Sequence, residues 1–289
     1  MIVPSEIRRE RAPLLREALR SILAQEGVDA HPIVIVNGAA ADAGLRAELE
    51  QDPRITVRVT GEASLPRAIR LGRELVTTEW FGELDDDDLL LPGALAARVA
   101  LLSAQPDTDV VVTNGYRQEP GGRVLQVPDP ARVRADPLRA MLDSNWLLPG
   151  SWLARTTSVG AELFDAMPKY LECTYLGLRF ASGYRMHFLE TPTVVWRTDT
   201  PSSMSKSRDF ALGQVAALQR LLELPLPREV AEELEQHLTR ALHARAVLRL
   251  REGATREAWR DHVSSLRRPG GLRYLAFTPS LIRAGLAGR

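Results

Sequence analysis

Short apolar runs and stretches of helical period take turns along residues 1–113, and this alternation limits the fold more than any other property of the chain. Ile2 to Ser5, Ile33 to Val36, Ile55 to Val59, Glu79 to Leu84 and Val110 to Thr113 read as strands. Helices are expected between them, from Pro13 to Gly27, Ala41 to Gln51, Leu65 to Val76 and Gly93 to Ser103. Strands that alternate with helices build a doubly wound parallel sheet with right-handed crossovers, and ligands of such sheets sit beyond the carboxyl ends of the strands. Ser5, Asn37-Gly38 and the acidic run Asp85-Asp86-Asp87-Asp88 all fall at those ends.

The acidic run is the most pointed of these features. It follows the apolar Trp80 to Leu84 segment and precedes a helix opened by Pro92. In an extended chain Asp85 and Asp87 would face one way and Asp86 and Asp88 the other, so that two carboxylates converge. Like charges so placed repel, and a hard divalent cation with oxygen ligands relieves them. A solvated acidic turn capping the next helix is the alternative.

Beyond Thr113 the regular alternation ends. A hairpin is expected over Asn114 to Val127, a helix over Pro137 to Leu142, and a strand with a Pro149-Gly150 break over Asn145 to Leu153. A helix over Leu171 to Ala181 and strands over Arg185 to Leu189 and Val194 to Arg197 follow. From Phe210 the pattern is helical: to about Leu224, from Arg228 to Arg251, from Thr255 to Leu266, and once more after Gly271.

Composition excludes several classes. With 37 basic and 37 acidic side chains, no overall field draws the chain to nucleic acid. Cys173 is the only cysteine, which rules out an intrachain disulfide and a zinc site of several thiolates, and fits a reducing cytoplasm. Met1-Ile2-Val3-Pro4 reads as a strand start and not as a leader, and no uncharged apolar stretch is long enough to span a bilayer. The charge is unevenly spread: from Arg240 onward eleven arginines stand against Glu252, Glu257 and Asp261. Together with Leu272, Tyr274, Leu275, Phe277, Leu281 and Ile282, this permits peripheral contact with an anionic membrane, at its inner face. The apolar stripes of the helical tail are expected to dock on the preceding domain or on a second copy, as a homodimer.

Several segments, in order, match one known pattern: Ile2-Val3-Pro4-Ser5; Arg11 with Leu15, Leu19, Ser21 and Gln25; Ile33 to Gly38; Ala68-Ile69-Arg70-Leu71-Gly72; and Leu84-Asp85-Asp86-Asp87-Asp88 with Pro92. Gly150-Ser151 through Arg155, Glu172-Cys173-Thr174-Tyr175-Leu176-Gly177-Leu178-Arg179, and Val195-Trp196-Arg197-Thr198-Asp199 with Ser202 and Ser205 continue it. From about Ile2 to Ser205 the chain resembles the inverting family 2 glycosyltransferases of the GT-A fold.

The resemblance implies an α/β, GT-A (Rossmann-like), mostly parallel sheet flanked by helices over 1–205, with 1–114 as the nucleotide-sugar-binding half and 115–205 as the acceptor half. A helical C-terminal extension over 206–289 follows. It implies metal-dependent, inverting transfer of a sugar from a nucleotide-diphosphate sugar to a hydroxyl of a glycan, glycolipid or glycopeptide acceptor, as in polysaccharide biosynthesis. Mn²⁺ or Mg²⁺ would be held by Asp87, Asp85 and Asp199, and the donor by Pro4, Ser5, Asn37, Arg70, Asp85 and Asp86.

Four positions depart from the family pattern. Cys173 replaces the aspartate of the Glu-Asp pair that takes the acceptor's proton, and a thiol with a pKa of ~8.5 is a poor substitute. Glu172 is the next candidate for the base, provided that the helix is rotated or ends there. Asp199 stands for a histidine, Asn37 for an acid and Arg70 for an asparagine. Alternatives are a catalytically silent sugar-nucleotide-binding partner subunit and a nucleotidyltransferase; the latter lacks its glycine-rich basic loop after the first strand. Trp146 and Trp152 are read as stacking platforms for an acceptor sugar or as core.

Overall fold

Strand β1 (Ile2–Ser5) has every residue buried, as a run apolar on both faces demands. Helix α1 (Ala12–Leu23), with Pro13 in its first turn, packs Leu15, Leu19 and Ile22 inward, each worth about 2 kcal/mol of burial. Strand β2 (Ile33–Asn37) pairs in parallel with β1, Ile2 opposite Ile33. After α2 (Ala43–Gln51), capped by Asp42, strand β3 (Thr56–Thr60) adds in parallel to β2. Helix α3 (Leu65–Leu75) then returns the chain to the other side of β1, where Ile2 N–H donates to Gly82 O at 2.8 Å and Leu84 N–H to Ile2 O at 2.9 Å. These bonds join the first sheet to the second. The computed structural model describes residues 1–38, 41–198 and 207–287.

The second sheet is mixed. Its path is β4 (Trp80–Phe81), β8 (Trp152–Arg155), β6 (Val110–Glu119), β9 (Met186–Arg197) and β5 (Leu89–Leu90), with β7 (Gly122–Leu125) hairpinned onto β6. Only β6 and β9 run parallel; the other pairs of this sheet are antiparallel. Parallel pairing is thus confined largely to the part of the chain where strands and helices alternate. Helices α4 (Ala94–Ala104), α5 (Pro130–Ala135), α6 (Pro137–Asp143) and α7 (Glu172–Gly183) complete this unit, which spans Met1–Pro201.

Two sequence expectations are corrected here, and an alternative left open is decided. The two strands expected over Arg185 to Arg197 are one, since β9 passes through Pro192 and absorbs it in a register shift against Asn114. The strand expected over Asn145 to Leu153 begins only at Trp152, because Gly150 lies at φ +74° in a turn whose Cβ position would strike the Leu84 side chain. Trp152 packs edge-on between Phe81 and Phe180, and Trp146 donates from Nε1 to Pro137 O at 2.8 Å; each is 1% exposed, so both are core.

The second unit, Ser202–Arg289, is helical throughout its described part: α8 (Arg208–Leu221), α9 (Arg228–Arg251), α10 (Thr255–Leu266), a 3-10 stretch (Gly271–Phe277) and α11 (Thr278–Ala287). Val230, Leu234, Leu238 and Leu242 of α9 form its buried seam, and Asp261 of α10 is clasped by Arg245 and Arg249 of α9. No helix among the described residues is long and apolar enough to cross a membrane.

Candidate active site

Strand-like pairing ends at Leu84, and β5 runs antiparallel to β9 only five residues later, so the chain has to reverse between them. The four aspartates make that reversal: Asp88 N–H donates to Asp85 O at 3.1 Å, which closes a four-residue turn. The alternating arrangement expected for an extended chain is therefore replaced. Asp88 joins Asp85 and Asp87, and one carboxylate oxygen of each lies within 4.8 Å of the others.

Asp86, which is not one of that trio, is held in a hydrogen-bonded clasp. Ser5 Oγ donates to its Oδ2 at 2.5 Å, and Arg11 Nη2 pairs with its Oδ1. The same Arg11 nitrogen lies 3.0 Å from Asp87 Oδ2. Ser5 Oγ in turn accepts from Ile7 N at 3.0 Å, which holds Ile7 at φ +47°, a conformation costly for a β-branched residue. The end of β1 is thus built to fix the acidic turn. Pro4 is buried within β1 opposite Ile35, one residue from the clasp.

Asp88 is fully buried. Its Oδ1 accepts from Arg197 N, at the end of β9, at 2.8 Å, while its Oδ2 has no hydrogen-bond partner among the described residues. Burial first, then the charges of Asp85 and Asp87, push the Asp88 carboxyl well above the usual range. Asp85 is raised for the same reasons, by burial and then by Asp87, Asp86 and Glu172, and Asp87 is raised by burial against the pull of Arg11. An orphaned buried oxygen amid three crowded oxygen donors fits a hard divalent cation such as Mn²⁺ or Mg²⁺. Asp199, the third expected ligand, lies outside the described residues, as do Ser202 and Ser205.

Helix α7 brings Glu172 near the acidic turn, close enough for its charge to act on Asp85. Tyr170 and Leu171 both adopt positive φ, at 67° and 58°, and this pair of left-handed residues turns the chain so that Glu172 is the first residue of the helix. Tyr170 N–H donates to Glu172 Oε1 at 2.9 Å. The helix thus begins at Glu172, one of the two arrangements under which the sequence allowed this residue to serve as the base. Burial raises the Glu172 carboxyl, opposed by these backbone bonds and by Lys169. The Glu172 charge also bears on Asp85 and on Glu83, a buried carboxyl that burial, Asp85 and Glu172 raise well above its usual value. Cys173 lies beside the same acids; burial, then Glu83, Asp85, Glu172 and Asp88, drive its thiol upward, so it is protonated at neutral pH and offers no base.

The remaining expected donor contacts lie near the carboxyl ends of β2 and β3. Asn37 Oδ1 accepts from Ser64 N at 2.6 Å and so ties β2 to the start of α3. Arg70 is held by Asp165 at 2.5 Å and Glu74 at 2.6 Å, on the wall of a cleft of about 620 Å³ that Thr60, Ser64, Arg67, Phe164 and Lys169 also line. None of the four aspartates lines that cleft.

Arg11, Glu83 and Asp88 belong to the site without having been assigned to it from sequence. Asp88 was visible as the fourth acid of the run, but an extended geometry aims it away. Arg11 was legible only as part of the first-helix pattern, and Glu83 carries no local signal, because their roles depend on a pairing 75 residues apart and on burial.

No curated protein matches the chain. Among solved structures, the first 349 residues of S. aureus TarS in complex with UDP-GlcNAc superpose with a TM-score of 0.53 at 15% identity, covering 98% of this chain and 78% of that one. The same TarS fragment in a second structure gives 0.52 at 14% identity, covering 88% and 73%. At such identity the likeness establishes the fold, a GT-A-like α/β arrangement. The family model for "Glycosyl transferase family 2" matches residues 2–147, from β1 through the acidic turn and beyond. That match takes in just over half of the 289 residues, and the chain belongs to glycosyl transferase family 2.

Proposed function

We propose that the chain is a metal-dependent inverting glycosyltransferase. It moves a sugar from a nucleotide-diphosphate sugar to a hydroxyl of a glycan, glycolipid or glycopeptide acceptor. The observation that carries this reading is the grouping of the Asp85, Asp87 and Asp88 oxygens within 4.8 Å of one another, with Glu172 close enough for its charge to act on Asp85. Residues 1–205 form the catalytic domain in this reading and 206–289 its extension. The protein works in the cytoplasm, at the inner face of the membrane where its acceptor is lipid-linked.

Asp87, Asp85, Asp88 and Asp199 would hold Mn²⁺ or Mg²⁺, which supplies Lewis-acid neutralisation of a departing diphosphate when bound. Ser5 and Arg11 fix the turn through Asp86, and Pro4 and Asn37 border the base and ribose. Arg197 has a buried Nη1 with no hydrogen-bond partner among the described residues, which suits a phosphate oxygen. The Arg70 side chain reaches the donor only on leaving Asp165. Glu172 takes the proton from the acceptor hydroxyl as its oxygen attacks the anomeric carbon from the face opposite the diphosphate; the bond from that carbon to the diphosphate oxygen breaks, and the nucleoside diphosphate leaves.

Cys173 favours a second reading, a sugar-nucleotide-binding partner without turnover, since the family's base is absent from that position. UDP-, dTDP- and GDP-sugars titrated with Mn²⁺, together with an assay of slow donor hydrolysis, separate the two. Transfer or hydrolysis that needs metal and falls by at least about a hundredfold in Asp87→Asn and Asp88→Asn supports the enzyme. Donor binding with no turnover, and activity that appears only in Cys173→Asp, supports the silent subunit.

A further inference from the structure

Within the helical unit, the 3-10 stretch Gly271–Phe277 has three residues per turn, so its positions separate into rows. One row, Gly271, Tyr274 and Phe277, faces the helices. Tyr274 stacks on His243 of α9 with centroids 3.9 Å apart, and Phe277 meets His243 and His262 edge-on at 5.3 and 5.5 Å. Gly271 lies so close to Ser265 O that a Cβ would stand 1.9 Å from it. Leu281 of α11 is also fully buried. The segment is therefore firmly seated by one side.

Its other side is apolar as well. Leu272 and Leu275, three apart in the 3-10 stretch, are 70% and 51% exposed, and Ile282 and Leu286, four apart on α11, are 49% and 69% exposed. These are four of the six large apolar side chains exposed among the described residues. A solvated face would carry charge at such positions. The only charged side chains in the sequence from His262 to Arg289 are Arg267, Arg268, Arg273, Arg283 and Arg289, with no Asp or Glu among them. Arg273 and Arg283 are exposed and alternate with the exposed leucines and isoleucine.

We propose that the outer face of Gly271–Ala287 is a membrane-surface anchor that inserts Leu272, Leu275, Ile282 and Leu286 among the acyl chains of an anionic lipid leaflet, with Arg273 and Arg283 at its headgroups. Exposed apolar ridges with purely cationic flanks match such a leaflet in both hydrophobicity and sign of charge. A second copy of the same face would bring like charges together. The anchor is independent of the transferase reading, since vesicle binding and donor turnover are separate measurements.

The test is co-sedimentation of the full chain with phosphatidylcholine vesicles that contain or lack phosphatidylglycerol, at low and high salt. Binding is expected to the anionic vesicles only, to weaken with salt, and to fall roughly tenfold or more in Ile282→Glu/Leu286→Glu and in Arg273→Glu/Arg283→Glu. Unchanged helical circular dichroism and donor hydrolysis in both variants show that the fold is intact; if either variant misfolds, Leu272→Ser/Leu275→Ser replaces it, with the same loss of vesicle binding expected. Wild type that stays in the supernatant with both lipids overturns the proposal. So does equal binding by folded variants, or a dimer in solution that the apolar substitutions disperse while vesicles are ignored.

Discussion

Glu172 shows how one backbone peculiarity places the carboxylate that the proposed mechanism uses as its base. Two consecutive left-handed residues start α7 at Glu172, and burial raises its carboxyl above the usual glutamate value. If Glu172 is the base, Glu172→Gln lowers transfer by about 10²–10⁴-fold while the donor dissociation constant stays the same, as single-turnover rates and titration calorimetry would report. Only the ionised form accepts a proton, so the rate declines on the acid side, and because the folded value lies above that of a free glutamate the decline sets in at higher pH than a solvent-exposed carboxylate would give. A pH–rate profile whose acid limb is unchanged in Glu172→Gln would dismiss this assignment. Cys173→Ser should leave the profile alone, since the thiol is already neutral.

At the scale of elements, Arg98 of α4 is the least expected interior group. It is fully buried with no carboxylate partner among the described residues; its guanidinium bonds to Trp152 O at 3.3 Å and to Thr193 Oγ1, and burial lowers its pKa to about 9. It thereby links α4 to β8 and β9. Arg98→Ala should cost about 3–5 kcal/mol in urea unfolding, from the cavity and the stranded polar groups, whereas Arg98→Met should recover most of that loss. Periodicity made most elements legible: α9 and α10 have the bounds that their apolar stripes suggest, β1 and β2 follow their apolar runs, and β3 lies within one residue of the span expected for it. Where reading failed, tertiary pairing outweighed local pattern. The two strands expected on either side of Pro192 are one, β9, because a register shift against β6 accommodates the proline. Helix α5 is six residues with one buried side chain, Val133, too short for a period to register. The acidic run revealed the location of the site but not its geometry, because the turn is imposed by β5 and β9 and not by the aspartates themselves.

The molecule as a whole consists of two units whose response to acid should differ. His262 is fully buried, its Nδ1 lacks a hydrogen-bond partner among the described residues, and burial lowers its pKa below 6.5; His243 is lowered by burial, then by His262 and Arg273. The unfolded chain binds protons more readily at these sites, so the stability they permit is present above the ordinary histidine value and is lost as the pH falls below it. In the Met1–Pro201 unit, Arg185 holds Asp109 at about 2, and the stability from that pair persists until the pH drops below the usual aspartate value of 3.8. Thermal unfolding followed at decreasing pH should show the helical unit weakening first, once the pH falls below the ordinary histidine value, and His262→Phe should remove that early step. A single transition that moves identically in wild type and variant would refute it.

Strand β9 begins beside the Asp109–Arg185 pair and ends at the Arg197 N–H that holds Asp88, with β6 alongside it for most of its length. It acts as a ruler between the sheet's starting edge and the acidic turn. Natural variation in chain length should therefore collect in the connections at 120–121 and 156–169 and leave 186–197 alone. A single inserted or deleted residue between Val194 and Arg197 would move a different amide against Asp88 and put every later residue out of step, however conservative its chemistry.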